Sequence, residues 1–170
     1  MRKVLITGRI GSGKSEVSKI LGALGYSVYD SDSRTKALYA DPAVAQKIES
    51  EVGVELARMG KVFENPELLK KLESVVHPLV LSDFERFAAQ SASDPVFFES
   101  AIAADKPLFD GVFDEVILVR APYRTRVERN EKAAVRDAFQ REPSRYDFLI
   151  ENDGSLEELK EKTELILRQL

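Results

Sequence analysis

The sequence predicts an α/β fold in which a mostly parallel sheet carries helices on its faces, and three observations predict it. A short apolar run, Arg2-Lys3-Val4-Leu5-Ile6-Thr7, reads as a buried strand and is cut off by a Gly-rich stretch, Gly8 to Gly13. Directly after the glycines the period changes: Val17, Ile20, Leu21 and Leu24 recur at helical spacing, and Gly25 stands where a helix C-cap falls. Further short apolar runs then alternate with helical patterns, and strands alternating with helices imply parallel pairing.

Taken in order, Ser27-Val28-Tyr29 is a brief second strand that leads into Asp30-Ser31-Asp32. From Ser33 to Gln90 small and aliphatic residues alternate with Lys and Glu at helical spacing, with breaks expected at Pro42, Gly60, Pro66 and Pro78. Several helices, inserted as a subdomain, are the expectation. Val96-Phe97-Phe98-Glu99 is a third strand ending in a carboxylate, and Glu115 to Val119 a fourth. Arg124 to Arg141 is a highly charged helical stretch with few large apolar residues. Asp147-Phe148-Leu149-Ile150 reads as the last strand. Ser155-Leu156-Glu157-Glu158 is a capping box opening a terminal helix whose Leu159, Thr163, Ile166 and Leu170 share a face.

At 170 residues a single domain is expected. Lys+Arg 25 against Asp+Glu 29 leaves a net charge of -4, which offers no broad attraction to nucleic acid or an anionic membrane. With no cysteine, disulfides, thiolate nucleophiles and Cys-based metal sites are excluded. One histidine argues against a multi-histidine metal centre. The first residues lack the longer apolar core of a signal peptide, and no stretch approaches a membrane span, so a cytoplasmic protein is expected.

Gly8-Arg9-Ile10-Gly11-Ser12-Gly13-Lys14-Ser15 fits G-x-x-x-x-G-K-[ST], the phosphate-binding P-loop, in its strand-loop-helix setting. Glycines let the backbone curl so that successive N–H groups line a concavity for phosphate oxygens. The helix that follows adds its positive end, Lys14 a charge for the β- and γ-phosphates, and the Ser15 hydroxyl a ligand for Mg²⁺. The spacing does not fit G-x-G-x-x-G, which disfavours a nicotinamide cofactor.

A P-loop alone does not separate a small-molecule kinase from a GTPase, a motor or a nucleotide-sensing module. Asp30 and Asp32 follow the second strand, where a carboxylate can orient an acceptor hydroxyl and take its proton; a surface turn or helix cap is the other reading. Arg124, Arg126, Arg129, Arg136 and Arg141 could close over transferring phosphates or make a solvated, ion-paired helix. Glu99 reads as a contact to Mg²⁺ or acceptor, or as a plain cap, and His77, in Val75-Val76-His77-Pro78-Leu79, taken alone as a structural histidine.

The run ITGRIGSGKS, the segment VYDSD, LLKKLESVVHPLV, FDEVILVRAP and DFLIENDGSLEEL, in this order and spacing, resemble the dephospho-coenzyme A kinase family. Members transfer the γ-phosphate of ATP to the ribose 3′-hydroxyl of dephospho-CoA. The resemblance implies a three-layer P-loop kinase fold: a core over about 1–32 and 94–170, a helical acceptor-binding insertion over about 33–93 and a short lid over about 124–143. It implies Asp32 as the catalytic carboxylate, Thr7 beside the reacting phosphates, Arg129 and Arg136 as lid arginines with Gln140 one turn beyond, and Lys14 acting on the phosphates. ATP and Mg²⁺ would sit at Gly8 to Glu16, the metal on Ser15. The acceptor would meet Asp30, Asp32, Glu99 and His77, the last within the helical CoA-binding part. A monomer or weak homo-oligomer without nucleic acid or membrane is expected.

The chain departs from the family pattern at four places: Arg9 for the second glycine of TGGIGSGKS, Glu16 for the usual threonine, no IDRxxL-like segment ahead of Asn65, and Ala101-Ile102-Ala103-Ala104-Asp105 for a PLLFE-like stretch. The alternatives are another P-loop nucleoside or nucleotide kinase, or a non-catalytic nucleotide-binding module.

Overall fold

A computed structural model describes residues 1–55, 60, 62, 65–137 and 140–170, with only the backbone at Arg136. Among the described residues the chain forms β1 (Lys3–Thr7), α1 (Lys14–Ala23), β2 (Val28–Asp30), α2 (Ser31–Tyr39), α3 (Pro42–Val52) and α4 (Pro66–Gln90). There follow β3 (Val96–Glu99), β4 (Glu115–Arg120), α5 (Tyr123–Arg129), α6 (Lys132–Arg136), β5 (Phe148–Glu151) and α7 (Leu156–Leu167). The strands pair in parallel in the order β2-β3-β1-β4-β5.

The chain divides into two compact units, 1–30 with 90–170, and 31–89. The sequence reading draws these borders at about 32/33 and 93/94, so Asp32 falls on the other side of the division.

In the first unit β1 is central. Ile6 lies in register with Glu99 of β3, and Thr7 with Leu118 of β4. The chain leaves β1 for the outer strand β2, returns through β3, and then crosses to β4. The reversal of strand order therefore falls at the carboxyl end of β1, where open α/β sheets bind their ligands.

Alternation along the strands fills both faces. Val4 and Ile6 join Val17 and Leu21 of α1, Leu159 and Ile166 of α7, and Phe97, Ile117, Val119 and Ile150 in one buried cluster. Burial of each such side chain contributes about 1.5–3 kcal/mol, enough to hold α1 and the loop before it against the sheet. On the opposite face Phe98 stacks on Tyr29 with ring centroids 5.1 Å apart and packs against Phe109 and Phe113.

At α7 the Ser155 hydroxyl accepts from the Glu158 amide at 3.2 Å, as the capping-box reading requires. Leu159, Thr163 and Ile166 are buried; Leu170 lies beyond the helix yet still packs on the cluster. The charged stretch expected as one helix is two, α5 and α6. Between them Asn130 accepts from the Lys132 amide at 3.0 Å, a local bond that competes with helix continuation.

In the second unit Asp41 caps α3 by accepting from the Ala43 amide at 2.8 Å, and Asn65 caps α4 through the amides of Glu67 and Leu68. Pro42 and Pro66 open helices, the position where a missing N–H costs nothing. Pro78 does not break the chain as expected: α4 runs through it. The apolar side of the helix, with Val75, Val76, Val80, Phe84 and Ala88 buried, outweighs the roughly 3 kcal/mol cost of an interior proline. Arg34 forms a two-pronged ion pair with the buried Asp83, both bonds 2.8 Å.

Candidate active site

At two positions the loop after β1 has no room for a side chain. Gly11 has φ 77°, and a Cβ there would lie 2.6 Å from the Arg126 carbonyl oxygen. Gly13, at φ 103°, would drive a Cβ into the Asn152 amide group. Both lie in the left-handed region that favours glycine, and both let another element approach the loop backbone. Gly13 is also the N-cap of α1 and supplies no side-chain cap. A phosphate is the group that suits the positive end of such a helix.

Within this loop Ser12 is fully buried, and its amide donates to the Arg9 carbonyl at 3.1 Å. The Lys14 ammonium lies 3.5 Å from the same carbonyl. Thr7 is buried at the end of β1, beside Gly8. Glu16 points outward and pairs with Lys19 at 2.6 Å.

Glu99, 8% exposed at the end of β3, organises the floor. Its Oε1 accepts from the Ser15 hydroxyl at 2.8 Å and its Oε2 from the Ser18 hydroxyl at 2.6 Å. A carboxylate nearly out of solvent must be hydrogen-bonded in this way to remain there. Asp30 ends β2 in register with Glu99, so two carboxylates stand on adjacent strand ends. The Ser15 hydroxyl and the Glu99 carboxylate are the hard oxygen donors that Mg²⁺ prefers. Among the described residues there is no group of three or more His, Cys, Asp or Glu that could hold a metal ion.

The arginines sort into distinct environments. Arg124 is almost fully exposed and pairs with Glu128 at 3.0 Å, the solvated alternative. Arg126 is 4% exposed; its Nε donates to the Ala121 carbonyl at 3.2 Å and its Nη1 to Asp137. Asp137 also accepts from Arg9 Nη1 at 3.1 Å. The bond from Arg126, with the charges of Arg126 and Arg9, holds the Asp137 carboxyl below the usual aspartate range. Arg129 closes α5, with its Nη1 3.8 Å from where a Gly13 Cβ would stand, so it lies beside the loop at Gly13. The side chain of Arg136 lies outside the described residues. Gln140 touches the loop itself: its Oε1 accepts from the Ile10 amide at 2.8 Å.

One contributor escapes the sequence reading. Asn152, 5% exposed just past β5, donates from Nδ2 to the Ser12 carbonyl at 2.8 Å, and its own amide donates to the Arg120 carbonyl. The available signal was a polar residue at the carboxyl end of a strand, the edge where these sheets bind ligands.

The first unit thus brings together Thr7, the loop from Gly8 to Glu16, Asp30, Glu99 and Arg129. Asp32, exposed in the first turn of α2, and His77, half-buried in α4 just before Pro78, belong to the second unit. No described helix is long and apolar enough to cross a membrane.

A family model described as dephospho-CoA kinase matches residues 2–158. The dephospho-CoA kinase of Porphyromonas gingivalis is 39% identical over 85% of this chain and 74% of its own length. That of Thermus thermophilus is 32% identical over 97% and 90%. Among solved structures, TT1252 from Thermus thermophilus superposes with a TM-score of 0.82 at 31% identity, covering 99% of this chain and 97% of that one. Shikimate kinase from Aquifex aeolicus, at 16% identity and a TM-score of 0.56 over 98% and 96%, shares the P-loop kinase fold. The glycine loop after β1 and the run of matches along the chain point the same way: this chain belongs to the dephospho-CoA kinase family.

Proposed function

We propose that the chain transfers the γ-phosphate of ATP to the ribose 3′-hydroxyl of dephospho-CoA, giving coenzyme A and ADP. The observation that carries the reading is the glycine-turned hollow with Lys14 at its rim and the Ser15–Glu99 pair at its floor, a receptacle for a triphosphate. Family membership supplies the acceptor.

In this reading the loop amides and Lys14 hold the β- and γ-phosphates in line with the acceptor. Ser15, with Glu99 behind it, would hold Mg²⁺, which when bound would neutralise developing charge on the phosphate oxygens. The acceptor oxygen forms its bond to the γ-phosphorus while the bond to the β,γ-bridging oxygen breaks and ADP leaves. Asp32 orients the hydroxyl and takes its proton; in a loose transition state that proton leaves late, so a carboxylate is a sufficient base. Arg129 and Arg136 stabilise the equatorial oxygens, since guanidinium forks match phosphate geometry. Asp30 and His77 serve the acceptor side. The protein works as a monomer or weak homo-oligomer in the cytoplasm.

The test is purified protein with ATP, Mg²⁺ and a panel containing dephospho-CoA, nucleosides and nucleotides, followed by mass spectrometry. A 3′-phosphorylated product formed fastest from dephospho-CoA is expected. Faster phosphorylation of a nucleoside or nucleotide, or ATP binding without acceptor-dependent ADP release, contradicts the reading.

A further inference from the structure

Arg9 stands in the phosphate-binding loop where the family's TGGIGSGKS has glycine, and its side chain does not point into open solvent. Its Nη1 donates to Asp137 Oδ2 at 3.1 Å. The other oxygen of that carboxylate receives Arg126, itself buried and anchored on the Ala121 carbonyl. Three residues after Asp137, Gln140 accepts from the amide of Ile10, the immediate neighbour of Arg9. Asp137 and Gln140 therefore hold two consecutive loop residues, once by an ion pair and once by a side-chain bond to a backbone amide. The carbonyl of Arg9 meanwhile receives the Ser12 amide and faces the Lys14 ammonium.

We propose that Arg9 is a positioning residue: through Asp137 it fastens the arginine-bearing α5–α6 segment to the phosphate-binding loop, so that the triphosphate site is assembled before nucleotide arrives. A glycine at this position can make no such link. The benefit is preorganisation, because a segment already ordered does not charge its ordering entropy to the binding step. The inference rests on the reading of ATP as the nucleotide.

Charge separates this role from the simpler one in which Arg9 attracts phosphate directly. Asp137 accepts from two guanidiniums, and it holds Arg9 by one of its oxygens. If Arg9 acted on the phosphates, removing the carboxylate would release a cation toward them and tighten binding. If Arg9 acts through Asp137, the same change loosens the segment and weakens binding.

The experiment is calorimetry of ATP·Mg²⁺ binding and steady-state kinetics for the wild type, Arg9→Met, Asp137→Asn and the double variant, with Arg9→Lys as the conservative change. Asp137→Asn keeps an acceptor for the buried Arg126, and melting curves confirm folding of each variant. Arg9→Met and Asp137→Asn should each weaken ATP binding by about three- to tenfold, the range of a partly exposed ion pair with its associated ordering. The double variant should be no weaker than the weaker single, the signature of coupled residues. Arg9→Lys should recover part of the loss, and KM for ATP should rise in Arg9→Met and fall back toward the wild-type value in Arg9→Lys. Tighter or unchanged ATP binding in Asp137→Asn, or losses that multiply in the double variant, overturn the proposal. A wild type that ignores ATP removes the kinase reading and this one together; a wild type that binds ATP no better than its variants removes this one alone.

Discussion

Replacing Asn152 by alanine should damage the phosphate-binding loop from behind. The side chain is almost fully buried and donates one bond, 2.8 Å long, to the carbonyl of a fully buried Ser12. Removing the donor leaves that carbonyl without this bond in a place water does not easily reach, which costs about 1–3 kcal/mol. Taking about 2 kcal/mol as the centre, and about 2–4 °C per kcal/mol for a chain of this length, Tm should fall by about 4–8 °C. The loop should also lose definition, since Gly13 lies against the same side chain; ATP binding should weaken about tenfold if 1.4 kcal/mol of the loss is recovered only in the free protein's disorder. Asn152→Asp has the same shape but sets a carboxylate oxygen against the Ser12 carbonyl, so it should be worse than alanine. Differential scanning calorimetry with and without ATP reads both effects. An alanine variant within about 1 °C of the wild type, or an aspartate variant as stable as the wild type, would refute the hydrogen-bond argument.

Glu99→Gln should raise the Mg²⁺ concentration needed for half-maximal rate while leaving the fold intact, because the amide still bonds one serine hydroxyl but carries no charge; an unchanged Mg²⁺ dependence would remove Glu99 from the metal's surroundings. Asp32→Asn should depress kcat by about 10²-fold or more with ATP affinity nearly unchanged, and an equal loss of both would point to damage elsewhere. For Asp137 the folded pKa is depressed, so its contribution to stability is complete above the unfolded value near 3.9 and is lost as pH falls through the lower folded value. The stability gap between the wild type and Asp137→Asn should therefore shrink below about pH 4, and a gap that stays constant into acid would contradict the pairing with Arg126 and Arg9.

What could be seen in the sequence was what local pattern carries. The apolar runs of β1, β3 and β4, the change of period after Gly13 and the glycine spacing are all properties of neighbouring residues. Pro78 was misleading for the same reason: a local rule marks a break, while the burial of Val75, Val76 and Phe84 on one side of α4 decides otherwise. The site is less legible because its bonds span the chain. Asn152 meets Ser12 across 140 positions, and Arg9 meets Asp137 across 128. No periodicity encodes such a pairing; it follows from the sheet order, which places the ends of β1, β4 and β5 side by side. Glu99 was visible as a carboxylate at a strand end, though not as the partner of both Ser15 and Ser18. The fate of Arg126 was equally hidden, since a run of arginines does not say which one is buried.

Everything in the proposed reaction depends on the loop after β1 gripping a triphosphate. Titration calorimetry of the protein with ATP·Mg²⁺, alongside Lys14→Ala, tests it most directly. The wild type should bind with a measurable heat, and the variant should lose on the order of tenfold or more in affinity, the worth of one charge-assisted contact to phosphate. No heat from the wild type, or equal affinity in the two proteins, would contradict it.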